Sequence, residues 1–186
     1  MRHIDKLIFL ILSLTVFFLA CDDGGVKPLQ GFLEISYQLE KAQGVQPSYQ
    51  TAIWLENEQG ELVRSLLVSE YLSYGGYNDS TICPDWSKLA NWSKVSPEEF
   101  DAVTAATPGI GNNVLKVDCR KANLLPGKYI YCVQVHILEN YNVLFKGAIM
   151  LNGENVESIA TAKYIPRQHP LAGNVLSHVK ARYIPG

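Results

Sequence analysis

An all-β domain is what the sequence predicts, because three features of its patterning coincide. Leu33, Ile35, Tyr37 and Leu39 alternate with Glu34, Ser36, Gln38 and Glu40, a period of two that gives an extended segment one buried and one solvated face. Short apolar segments of this kind recur along the chain, about eight in all. Turn-forming residues punctuate them, among them Gln59-Gly60, Pro126-Gly127, Asn140-Tyr141-Asn142 and Asn152-Gly153. Short strands joined mostly by tight turns fit an antiparallel β-sandwich of immunoglobulin-like form, with short helices inserted in its middle.

The elements follow in order. After the alternating segment at 33–40, a strand is expected over 49–56, and Gln59-Gly60 turns it into 62–68, whose apolar residues on both faces mark a central strand. The pattern then breaks. Residues 84–92 predict a short helix, with Trp86 and Trp92 packing it onto a sheet. Ser96-Pro97-Glu98-Glu99 is a helix start, with a serine cap, proline at the first helical position and glutamate three residues after the cap. Glu98 and Glu99 therefore read as complements to the helix dipole and not as an acid–base pair. Strand patterns resume at 114–119, 128–138, 143–151, 156–164 and 175–183.

The first residues carry an address. Arg2 and Lys6 precede residues 7–20, which are apolar except for Ser13 and Thr15 and fall short of the roughly 20 residues that span a bilayer. Phe18-Leu19-Ala20-Cys21 resembles the lipobox at which bacterial lipoproteins are cut and acylated, so Cys21 is the expected lipidation site. The division is a signal peptide at 1–20, a tether at 21–30 that includes Asp22-Asp23-Gly24-Gly25, and a β-sandwich domain at 31–186. An aspartate after the cysteine resembles inner-membrane retention signals, and acidic pairs resemble surface-export signals. Both destinations stay open, and each lies in the cell envelope outside the cytoplasm.

Composition narrows the function. A chain that is 47% hydrophobic and 18% charged is globular, not disordered. Its net charge of −2, slightly more negative once the leader is gone, offers nothing to phosphate backbones, so nucleic acid is not an expected partner. Neither a C-x-x-C pair nor paired histidines at helical spacing occur. His136, His169 and His178 are scattered, and no metal site is expected. Gly-x-Ser-x-Gly and phosphate-loop motifs are missing too, so no independent catalytic activity is expected. Cys119 and Cys132 lie almost symmetrically about Pro126-Gly127. A hairpin there would bring them together, and a cross-strand disulfide is the expectation in an oxidising compartment.

The most informative stretch is Asp101-Ala102-Val103-Thr104-Ala105-Ala106-Thr107. It resembles the acceptor sequence to which bacterial flavin transferases join FMN through a threonine hydroxyl. The resemblance makes Thr107 the attachment residue, with Asp101 and Thr104 as recognition residues. That pattern usually carries glycine where this chain has Ala102 and Ala105, which removes the freedom of positive φ. Tyr71, Tyr74 and Tyr77 flank Gly75 and Gly76, a stretch suited to covering a flavin ring, to binding a partner or to closing the rim of the sandwich.

The likeness extends beyond one motif. Pro47-Ser48-Tyr49, Ile53-Trp54-Leu55-Glu56, Leu62-Val63-Arg64-Ser65-Leu66, Trp92, the acceptor-like segment with Pro108, and Leu125-Pro126-Gly127-Lys128-Tyr129 stand in matching order. Residues 49–153 thus resemble a family of predicted periplasmic proteins of unknown function, the DUF 2271 type, which tends to be associated with flavin transferases and flavin-dependent membrane reductases. The resemblance implies a β-sandwich, covalent FMN as cofactor, and those enzymes as partners. Two classes of function are carried forward: a lipid-anchored accessory or electron carrier in extracytoplasmic flavin-dependent redox, and a noncatalytic immunoglobulin-like lipoprotein that binds another envelope protein.

Overall fold

The computed structural model describes residues 26–42, 44–164 and 175–186. It is mostly β, and its strands form two open sheets. The first sheet is ordered β5 (Gly111–Asp118), β1 (Phe32–Leu39), β10 (Leu176–Ile184) and β8 (Val156–Ile159). The second is ordered β4 (Thr104–Ala105), β3 (Leu62–Ser69), β2 (Gln50–Glu56), β6 (Gly127–Leu138), β7 (Tyr141–Leu151) and β9 (Thr161–Tyr164). All pairings are antiparallel except β3 with β4.

One core lies between the sheets. Leu33, Ile35, Tyr37 and Leu39 of β1 enter it, as their alternation requires, and meet Ile53 and Leu55 of β2 and Tyr131, Val133 and Val135 of β6. The expected strand at 156–164 divides at Ala160. Its first half pairs in the first sheet and its second half in the second, while the Ala160 amide donates to the Val179 carbonyl at 2.9 Å. The domain's packing also starts inside the expected tether, since Leu29 is buried and its amide donates to Leu124 O.

A second core lies on the far face of the second sheet. Six of the seven residues of β2 are buried, which one sandwich interface cannot achieve for a strand whose neighbours point to opposite faces. The excursion between β3 and β4 covers that face with α1 (Glu70–Ser73), a 3-10 turn at Gly76–Asn78, α2 (Pro84–Ala90), a second such turn at Trp92–Lys94, and α3 (Pro97–Val103). Trp54, Val68 and Cys132 from the sheet meet Leu72, Ile82, Trp86, Trp92 and Val103 from the excursion. Each indole N–H finds an acceptor: Trp54 on Glu56 Oε1 at 2.8 Å, Trp86 on Ser65 Oγ at 3.0 Å, and Trp92 on Ser73 O at 3.1 Å. The apolar residues on both faces of 62–68 thus report a sheet with two covered faces.

Tyr131 ties the two sheets together. Its buried ring crosses above Gly147 of the neighbouring strand, and its hydroxyl donates to Ser158 O in the first sheet at 2.9 Å. A Cβ on Gly147 would stand 2.4 Å from Cζ and Oη of that ring. Gly147→Ala should therefore lose about 1–3 kcal/mol through overpacking, measured as a lower midpoint in urea unfolding.

Candidate functional site

The acceptor-like segment runs from helix α3 through strand β4 into a loop. Ser96 caps α3, its hydroxyl accepting from the Glu99 amide at 3.2 Å, with Pro97 at the first helical position. Backbone hydrogen bonding and the Ser96 hydroxyl hold the exposed Glu98 carboxyl below its ordinary pKa, as capping chemistry requires. Asp101 and Ala102 sit exposed on this helix, and Val103 is buried in the second core. The chain then extends, and Thr104 and Ala105 pair in parallel with Val68 and Ser69 as the edge strand β4. Thr104 is half-buried and donates from Oγ1 to Ser73 Oγ at 3.0 Å. Neither Ala102 nor Ala105 has positive φ, so helix and strand accommodate alanine where the resembling pattern has glycine.

Thr107 emerges just beyond, exposed to solvent. Gln50 Nε2 donates to its Oγ1 at 3.2 Å, a bond in which the threonine oxygen accepts and its own proton is not used. Gln50 stands at the start of β2 directly after Tyr49, whose φ of 52° is a rare conformation for an aromatic residue. That backbone turn sets Ser48 on one side and Gln50 on the other. Ser48 Oγ lies 2.6 Å from His136 Nδ1, and His136 Nε2 lies 2.8 Å from the Glu139 carbonyl. A carbonyl only accepts, so Nε2 carries a proton, and in the neutral ring Nδ1 accepts from Ser48. Pattern reading had no signal for Gln50, because β2 enters from a distant part of the sequence.

Thr107 lines an open groove of about 560 Å³ together with Glu70, Tyr71, Tyr74, Gly75 and Gly76. The two stretches singled out separately in the sequence, the tyrosine–glycine run and the threonine motif, are therefore one place in the fold. Tyr77 does not join them and packs half-buried against the second core. Tyr74 meets Phe100 edge-on, with centroids 5.1 Å apart, and Phe100 lies 5.8 Å from Trp92, which in turn lies 5.1 Å from Trp86. An aromatic row thus runs from the groove rim into the buried layer. The groove fits an FMN-sized group in volume, in aromatic lining and in offering an exposed hydroxyl. Its one charged lining residue is the exposed Glu70, so the Gln50 amide is the polar donor at the threonine end.

A second cleft of about 400 Å³ opens between β3 and β5, lined by residues that include Arg64, Leu66, Val103, Leu115, Lys116 and Lys121. It holds none of the sequence-predicted site residues. No grouping of ligating side chains suited to a metal ion occurs among the described residues. His178 is exposed at the start of the pairing between β10 and β1, while His169 and Cys21, with the whole leader, lie outside the described residues.

The cysteine expectation needs correction. Cys83, Cys119 and Cys132 are free and fully buried. Cys119 belongs to the core between the sheets and Cys132 to the core under the helices, on opposite sides of the second sheet. Pro126-Gly127 does not close a hairpin. Residues 119–126 carry the chain from β5 in one sheet to β6 in the other, so near-symmetry about the turn confers no proximity. Sequence reading also missed an ion pair on a buried carboxylate: Nζ of the half-buried Lys146 lies 2.8 Å from both carboxylate oxygens of the buried Glu56. Trp54-x-Glu56, two residues apart on one strand face, was the available signal.

A family model described as predicted periplasmic protein, DUF2271, matches residues 33–166, most of the chain, and the chain belongs to that family. The family places it outside the cytoplasm, and among the described residues no helix is long and apolar enough to cross a membrane. No curated protein and no solved structure matches it.

Burial sets the behaviour of the thiols. It pushes the Cys119 pKa from 9.0 up to about 11 and raises those of Cys83 and Cys132 as well. All three should resist a thiol reagent such as dithionitrobenzoate at pH 8 and react on unfolding. Below pH 9.0, folded and unfolded chains alike keep the Cys119 proton. Between 9.0 and about 11 only the unfolded chain releases it, so the stability linked to this thiol is lost as pH rises. Cys119→Ala should flatten that part of the pH–stability curve in denaturant titrations.

Proposed function

We propose that this chain is a lipid-anchored envelope protein that carries FMN on Thr107 and serves as an accessory or electron carrier beside a membrane flavin reductase. The observation that carries the reading is the exposed Thr107 hydroxyl at the wall of an aromatic-lined groove. In the attachment step a bond forms between Thr107 Oγ1 and the phosphorus of FMN. The anhydride bond of a dinucleotide flavin donor breaks, the nucleotide monophosphate leaves, and the hydroxyl proton passes to the transferase. When bound, the flavin supplies the electron chemistry, and the chain supplies attachment, orientation and an anchored address. The signal at 1–20 and Cys21 make that address the membrane surface.

A second reading rests on a separate observation. β5 is an edge strand of the first sheet, with Val114 exposed along it and Ile110 exposed just before it. An unpaired edge with exposed apolar side chains suits a noncatalytic immunoglobulin-like lipoprotein that adds a partner's strand.

Covalent attachment is tested by coexpression with a flavin transferase from the same organism. Flavin fluorescence should stay with the denatured chain on a gel, and peptide mapping should place FMN on Thr107. Thr107→Ala should abolish the signal. Thr104→Ala should lower the yield and cost about 1 kcal/mol through the lost bond to Ser73. An unmodified Thr107, with the transferase shown active on another substrate, would transfer the assignment to the partner-binding reading.

The anchor has its own check. Mass spectrometry of the detergent-extracted protein should find an N-terminal acylated Cys21 and no peptide containing Met1. An unmodified Cys21 in membrane-extracted protein would overturn the anchor and leave Thr107 unaffected.

A further inference from the structure

We infer that the groove beside Thr107 seats the planar ring system of the attached flavin against Tyr71 and Tyr74. The inference rests on the FMN reading above and adds where the ring lies and what holds it. Surface tyrosines ordinarily move among rotamers, yet these two are pinned. The Tyr71 ring lies directly on Gly76, where a Cβ would stand 2.7 Å from Cε1 and 2.8 Å from Cδ1. Tyr74 is braced by Phe100, which rests on the buried Trp92. Despite this bracing, Tyr71 is 59% and Tyr74 73% exposed. Rigid aromatic surface held open to solvent at a concavity is preorganised for stacking, because the ordering cost is met on folding and not on binding.

The rest of the groove agrees with a ring at that end. Gly75 has a φ of 151° and nothing within 4 Å of where its Cβ would be, so backbone and open space form that part of the wall. The phosphate end belongs to Thr107 and the Gln50 amide. Glu70 disfavours an anionic group near the tyrosines and tolerates an uncharged ring. The concavity of about 560 Å³ lies within the roughly 300–1,000 Å³ typical of small-molecule sites.

The test attaches a flavin without any transferase. In the full chain carrying Cys21→Ser and Thr107→Cys, the thiolate at position 107 displaces bromide from a bromoacetyl flavin and forms a thioether. The other three cysteines are buried, and peptide mapping confirms the labelled position. In the native protein, flavin fluorescence should be several-fold weaker than after unfolding, because a stacked tyrosine donates an electron to the excited ring and recovers it without emission. Anisotropy should be high. Tyr71→Phe with Tyr74→Phe should restore brightness and keep the anisotropy, since phenylalanine stacks but is a poor electron donor. Tyr71→Ala with Tyr74→Ala should restore brightness and lose the anisotropy, with circular dichroism confirming the fold. A native label as bright and as mobile as the unfolded one, or an alanine pair that changes nothing, would overturn the seat. Because attachment here is chemical, that failure is separate from a failure of the transferase to modify Thr107.

Discussion

The double burial of the second sheet is the constraint from which the rest of the molecule follows. β2 and β6 lie at its centre, with one face against the first sheet and the other carrying Trp54 and Cys132. Left wet, that second face would expose a large apolar surface, and burying it is among the strongest favourable terms available to a chain of this size. The segment between β3 and β4 does so with helices too short to be stable alone, the longest having seven residues. Their order comes from the sheet they cover. Thr107 and the two groove tyrosines stand on this covering layer and its exit strand, so the candidate site's geometry is a by-product of packing beneath it.

Polar groups inside this arrangement fix direction. The half-buried Lys146 and the buried Glu56 form an ion pair beside Trp54, and Glu56 also accepts the indole N–H, so both of its carboxylate oxygens are engaged. Removing the lysine would leave the buried Glu56 carboxylate without its cation, which is unfavourable. At the other end of β2 the Ser48–His136 contact, the left-handed Tyr49 and Gln50 fix the strand's entry. The two ends together determine how β2 meets β6, and hence where Gln50 stands relative to Thr107.

The sequence was most legible where one physical rule acted alone. The alternation of β1 translated directly into a buried face at Leu33, Ile35, Tyr37 and Leu39, and the capping signature at Ser96 produced a helix at Pro97. It was least legible where two elements from distant parts of the chain had to meet. The split at Ala160 is invisible to periodicity, since neither four-residue half is long enough to say which sheet it joins. Symmetry about Pro126-Gly127 misled for the same reason, because a turn signal does not say whether the chain reverses within one sheet or crosses to another. Thr107 and the tyrosine run were each visible as local patterns. Their convergence depends on β4 docking in parallel beside β3, a two-residue pairing that no pattern announces.

Helix α3 and that short pairing accommodate the two alanines that stand where the resembling acceptor pattern has glycines. Glycine is needed when a loop must turn with positive φ or when backbone must approach a ligand closely. Here Ala102 lies in the last turn of α3 and Ala105 in β4, both in backbone regions open to any L-residue. Regular structure carries the segment as far as Ala105 and releases it only at Ala106 and Thr107. Alanine in such a segment lowers the entropy of the unfolded chain relative to glycine and stiffens the mount. On the opposite wall Gly75 has positive φ and Gly76 makes room for the Tyr71 ring. A stiff arm thus bears the Thr107 hydroxyl on one side of the groove, and the wall that contains Gly75 and Gly76 bears the tyrosine rings on the other.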